Sequence, residues 1–154
     1  MSLARPSALI FDWDNTLVDS WGTIHAALNT MFAQMGHAPW TMEETQKKVR
    51  KSLRDAFPVL FGNRWEQARD LYLLAFEALH IERLSPLPDA EALLKVIAAQ
   101  GHYIALVSNK TGRFLRREVA ALGAVRTKQF GGAGQRIRAR VLPDHHAKVA
   151  REVG

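Results

Sequence analysis

Asp12 and Asp14, two carboxylates two residues apart, directly follow the short apolar run Ser7–Phe11. Such a pair can divide the work of phosphoryl transfer. One carboxylate can attack phosphorus and form an acyl phosphate. The other can protonate the leaving oxygen and then activate water. Together they concentrate negative charge, which calls for a hard cation with oxygen ligands. Mg2+ fits, since it often takes one or two carboxylates plus a substrate phosphate. The same two acids are also ordinary turn formers at a strand end, so the pair alone does not decide between chemistry and structure.

Chemistry at Asp12 needs an element that ends just before it. Ligands of open parallel sheets bind beyond the carboxyl ends of the strands. Ser7–Phe11 reads as a buried strand of the parallel type, and Tyr103–Val107 as a second one. Between them the periodicity is helical. Ile24, Leu28, Met31, Phe32 and Met35 predict a helix over 21–35, stopped by Gly36. Thr41 with Glu44, and Asn63 with Glu66, have capping-box spacing and predict two more helix starts. In the longer of these, Leu71, Leu74, Ala75, Ala78 and Leu79 form the expected apolar face. Around Ser52–Leu60 a short segment is broken by Pro58, and Ser85–Pro88 reads as a linker. Asp89–Gln100 is an amphipathic helix closed by Gly101, and Thr111–Leu122 a helix closed by Gly123. Strands alternating with helices predict an α/β layered fold with a parallel sheet.

The run FDWDNTLVDS, residues 11–20, resembles the first motif of the haloacid dehalogenase superfamily, an apolar strand followed by D-x-D-x-T-[LV]. It is most similar to the phosphoglycolate phosphatase-like branch. Asn15 stands where that branch usually has Gly, and Asn is among the residues most tolerant of positive φ. Trp13 stands where Leu is common; its side chain would narrow the site or pack against the cap. Leu106–Lys110 (LVSNK) resembles the second motif of the same family. The resemblance implies that Asp12 is the nucleophile and Asp14 the acid and base, with Thr16 supporting the turn. It implies that Ser108, Asn109 and Lys110 lie around the phosphoryl group, Ser108 bonding its oxygens and Lys110 adding positive charge. Mg2+ would sit between Asp12, the Asp14 backbone carbonyl and the phosphate. The third-motif cation falls at Arg140, just before Pro143–Asp144, although Arg is not equivalent to the usual Lys.

The family's fourth motif, further acids often in the form G-D-x-x-x-D, has no counterpart after Ser108, where the only acids are Glu118, Asp144 and Glu152. The resemblance is good to Gly123 and then falls away as basic charge rises. Residues 124–154 hold seven Lys and Arg against two acids, while residues 1–123 are nearly balanced. A frameshift or truncation near Gly123 is therefore expected, with the last core strands missing. Out-of-frame translation of a GC-rich gene enriches Arg, Ala and Gly in this way. His145 and His146 read as a solvated helix start, since adjacent helical residues point in different directions.

Composition bounds the rest. The chain has 154 residues and no cysteine, which excludes disulfides and thiolate metal sites. The N-terminus reads as neither signal peptide nor membrane span, so the cytoplasm is the expected compartment. The net charge of +6 belongs to the tail, so nucleic acid is not the expected partner.

The expected architecture is a Rossmann-like α/β core over 1–16 and 87–154, with a C1-type α-helical cap over 17–86. The expected function is Mg2+-dependent hydrolysis of a small organic phosphate monoester, phosphoglycolate being the nearest family substrate, through an aspartyl phosphate. The alternatives are a phosphomutase or dehalogenase on the same fold, a catalytically incomplete binding or regulatory module, and nucleic-acid binding through the tail.

Overall fold

The computed structural model describes residues 6–49 and 53–126; Arg140, the possible helix over 143–153 and the question of further strands lie outside them. Two apolar runs become strands β1 (Ala8–Phe11) and β4 (Tyr103–Leu106). They pair in parallel, Ala8 opposite Tyr103 through Phe11 opposite Leu106. Parallel neighbours require a long crossover. Here it carries β2 (Val18–Asp19), α1 (Trp21–Met35), α2 (Met42–Lys48), α3 (Leu53–Phe61), α4 (Trp65–Leu79), β3 (Ser85–Pro86) and α5 (Ala90–Ala99). Helix α6 (Gly112–Arg126) follows β4. No helix among the described residues is long and apolar enough to cross a membrane.

The described residues have two apolar clusters. The helical one joins Ala27, Leu28, Met31, Phe32 and Met35 of α1 to Phe57 and Phe61 of α3 and to Ala68, Tyr72 and Phe76 of α4, with Phe114 of α6 added. Burying each large side chain contributes roughly 1.5–3 kcal/mol, so this cluster holds the helical layer together without the sheet. The second cluster joins Trp13, Leu17, Val18, Ala90, Leu106 and Leu115, under the carboxyl ends of β1 and β4. Val18 of that cluster belongs to the short antiparallel pair of β2 with β3, Val18 opposite Pro86 and Asp19 opposite Ser85. Residues read as a plain linker thus form a strand pair where the chain leaves and re-enters the sheet layer.

Local signals mostly act as expected. Gly36 adopts φ 74° and ends α1, its N–H donating to the Ala33 carbonyl while the His37 N–H donates to that of Phe32. Thr41 and Glu44 form a reciprocal capping box at α2. Four readings are corrected. Asn63 and Glu66 do not cap α4: a 3-10 turn over Gly62–Arg64 precedes it, and Arg64 occupies the cap position with no side-chain bond. The buried stripe of α4 is Ala68, Tyr72 and Phe76, while Leu74 is 68% exposed, because the aromatics present the larger surface to α1 and α3. Helix α6 runs through Gly123 to Arg126; an interior Gly costs only about 1 kcal/mol and need not stop a helix. Finally, β1 is not buried. Ile10 is 64% exposed because β4 is the only partner of β1 among the described residues.

Asn15 has φ 58°, the left-handed region. Its side-chain oxygen also accepts the Ser20 backbone N–H at 3.0 Å, which glycine could not do. Asn15→Ala should lower stability in urea denaturation by about 1–2 kcal/mol through backbone strain and the lost bond. Asn15→Gly should lose less. Equal stability of the two variants would show that the turn conformation carries no cost.

Candidate active site

The register of β1 and β4 brings the two sequence motifs to one end of the sheet. The Val107 N–H donates to the Phe11 carbonyl at 2.9 Å, so Asp12 and Ser108 both emerge just beyond the last paired residues. The loop after β1 then folds tightly back. The Trp13 carbonyl accepts N–H groups from Thr16, Leu17 and Val18 at 3.3, 3.0 and 3.2 Å. Asn15 N–H donates to the Val18 carbonyl at 2.7 Å, and Leu87 N–H to the Leu17 carbonyl at 3.0 Å. This last bond ties the loop to the returning chain beside β3.

The two aspartates stand in different surroundings. Asp12 is exposed, and its carboxylate makes no hydrogen bond or ion pair with any described residue. Asp14 is held from two sides. One of its oxygens accepts the Ser20 hydroxyl in a short hydrogen bond and meets the Lys110 ammonium at 2.7 Å. Lys110 thus lies against Asp14, and its side chain is only 7% exposed. The Ser108 hydroxyl accepts the Lys110 backbone N–H at 3.1 Å, which shapes the loop after β4. Thr16 and Asn109 are exposed at the same end of the sheet.

One residue of the site was passed over in the sequence. Glu118 of α6 is 1% exposed, and its carboxylate gathers three donors. Oε2 accepts the Trp13 indole N–H at 2.6 Å and meets the Lys110 ammonium at 2.6 Å. Oε1 faces Nδ1 of His80, just beyond α4, at 2.9 Å. Because a carboxylate accepts only, Nδ1 carries the shared proton. His80 Nε2 is buried without a partner among the described residues. A signal existed. Glu118 falls within the apolar stripe Phe114, Leu115, Val119 and Leu122, and His80 extends the stripe Ala68, Tyr72, Phe76 at steps of four. A charged residue on a buried face must find partners there. Trp13 is 5% exposed and packs in the second cluster, beside Leu17 and Val18.

Tyr72 of α4 lies within electrostatic reach of the same carboxylates. Burial above all, then the charges of Asp14 and Glu118, push its phenol well above the usual tyrosine range. Among the described residues no group of three or more His, Asp or Glu side chains is placed to share a metal ion. A pair of carboxylates with water and a substrate oxygen is a donor set that Mg2+ accepts.

Comparison with known proteins now bears on this geometry. Residues 9–130 match the family model described as haloacid dehalogenase-like hydrolase. The chain belongs to that family. Among curated proteins it is similar to phosphoglycolate phosphatases. One from Cereibacter sphaeroides is 32% identical over 114 residues, covering 66% of this chain and 50% of the relative. One from Pseudomonas fluorescens is 31% identical over 120 residues, covering 71% of this chain and 44% of the relative. The chain thus spans about half the length of the curated relatives it matches. Among solved structures, a haloacid dehalogenase-like hydrolase from Streptococcus pneumoniae shares the fold with a TM-score of 0.70 at 21% identity, covering 76% of this chain and 56% of that one. A hydrolase from Pseudomonas syringae does so with a TM-score of 0.65 at 19% identity, covering 88% and 59%.

The raised Tyr72 pKa sets an alkaline limit on stability. The folded value lies above the unfolded one, so its contribution is intact below about pH 10 and is lost as pH rises toward the folded value. Above about pH 10 the wild type should lose up to roughly 1.4 kcal/mol per pH unit more than Tyr72→Phe. Urea denaturation of both proteins across that range measures the difference; parallel curves would mean that Tyr72 ionises equally in both states.

Proposed function

We propose that this chain is a Mg2+-dependent phosphatase acting on a small organic phosphate monoester through an aspartyl phosphate on Asp12. One observation supports the reading: at the same strand end, Asp12 has no partner among the described residues while Asp14 is fixed by Lys110 and Ser20. A nucleophile needs an unshared oxygen, and an acid–base group needs a fixed position. In the proposed reaction an Asp12 oxygen bonds to phosphorus as the bond from phosphorus to the leaving oxygen breaks. Asp14 delivers a proton to that oxygen, then takes one from the water that opens the acyl phosphate. The Ser108 hydroxyl and Asn109, beside Asp12 after β4, would hold the phosphoryl oxygens, with Thr16 supporting the turn and Lys110 adding charge stabilisation. The Asp12 carboxylate and the Asp14 backbone carbonyl would hold Mg2+, which would supply charge neutralisation at the phosphate.

Tyr72 and Phe76 of α4 bring the helical layer close to this site, and residues 17–86 would serve as a cap that excludes water. Phosphoglycolate is the first substrate to test, from the names of the curated relatives. A small phosphorylated metabolite is the expected partner, in the cytoplasm. Arg140 would supply the remaining cation.

A second reading has its own support. No third acid joins Asp12 and Asp14 in a metal-sharing group among the described residues, which is compatible with a phosphate-binding module that does not turn over. One assay separates the two. Under the phosphatase reading, the full chain hydrolyses p-nitrophenyl phosphate with Mg2+, chelation stops it, and Asp12→Asn reduces it to the blank rate. A folded wild type that binds inorganic phosphate without turnover would establish the binding module instead.

A further inference from the structure

We infer that Glu118 is the positioning residue for Lys110: its carboxylate holds the lysine ammonium against Asp14 and, through His80, ties that placement to helix α4. This rests on the phosphatase reading for its catalytic consequence and on geometry alone for the placement.

The three donors on Glu118 come from three separate parts of the chain. Trp13 lies in the loop after β1, Lys110 in the loop after β4, and His80 just past α4. Stability alone does not call for such an arrangement. Burying charges costs several kcal/mol per ion, and apolar residues of similar volume are often as stable or more so. What a buried carboxylate adds is a fixed point for a cation. Lysine has a flexible stem and an ammonium with three donors. Here Asp14 at 2.7 Å and Glu118 at 2.6 Å engage that ammonium, while the Phe76 ring centroid lies 5.0 Å away. Held there, Lys110 leaves the Asp12 carboxylate free, as its lack of partners among the described residues shows. Without Glu118 the ammonium is released to follow the strongest nearby negative charge, Asp12 included.

The link to α4 is reinforced beside it. Glu77 of α4 bonds Arg117 at 2.9 Å and pairs with Arg113 at 3.3 Å, both on α6. His80 stacks on Phe76 and packs against Phe114, with ring centroids 5.5 and 4.9 Å apart. A displacement of α4 from α6 therefore removes one of the three donors on Glu118 and the aromatic face beside Lys110.

The test is nuclear magnetic resonance of the full chain, following the Lys110 ammonium and Trp13 indole 1H–15N signals, assigned through Lys110→Arg and Trp13→Phe. In the wild type the ammonium protons should exchange slowly with water. In Glu118→Gln exchange should speed up at least about tenfold, equivalent to about 1.4 kcal/mol, and the Trp13 indole signal should move. His80→Phe preserves the ring packing and removes the donor; it should speed exchange by a smaller factor. In the Mg2+ assay, with rates normalised to the folded fraction seen in the same spectra, Glu118→Gln should lower kcat about tenfold with KM within about twofold. Ammonium exchange and indole signal unchanged in Glu118→Gln would overturn the inference. If that variant does not fold, unchanged exchange in His80→Phe overturns it. A wild type without turnover but with a protected ammonium would sink the phosphatase reading and leave the placement of Lys110 intact.

Discussion

Parallel pairing of Ala8–Phe11 with Tyr103–Leu106 is the constraint on which the rest of the structure depends. Parallel strands present the same end to the same side, so both loops that follow them open together. Asp12 and Ser108 are 96 residues apart in sequence, and only this register makes them neighbours in one site. A slip of one residue would turn every side chain of a strand to the opposite face. The site would then lose its second loop, and Ile104 and Leu106 would leave the core.

Everything inserted between the strands must leave and return at one place, and the chain does so through β2 and β3. The tight turn at Trp13–Val18 makes this possible. Its left-handed Asn15 reverses the chain and at the same time caps the start of the helical layer through the Ser20 N–H. The helical layer then has its own apolar cluster. Where α4 meets α6 the side chains in contact are aromatic and ionic: Phe76, Phe114, His80, Glu118 and the pairs of Glu77.

Charge in the site is arranged as a line, Asp14 to Lys110 to Glu118 to His80. Among the described residues this line holds Asp14 and leaves Asp12 outside it. Tyr72 registers the same field, since the charges of Asp14 and Glu118 add to burial in keeping its phenol protonated.

How much of this was legible depends on the range of the interaction involved. Residues 11–20 and 106–110 carried the lineage, because each motif is a short run at a strand end and is read without knowing what packs against it. Helix α1, its Gly36 stop and the capping box at Thr41 were also readable, since hydrogen bonds and steric limits over three or four residues set them. The buried face of α4, the helical course of Gly123 and the open face of β1 were not, because each depends on what packs against it. Glu118 marks the division most clearly. Its helix was evident from the amino-acid sequence, and its place within an apolar stripe was there to be noticed. That its carboxylate collects Trp13, His80 and Lys110 was decided only by the tertiary structure. Those three donors lie 105, 38 and 8 residues away along the chain, and a buried charge takes whichever partners the fold brings within reach.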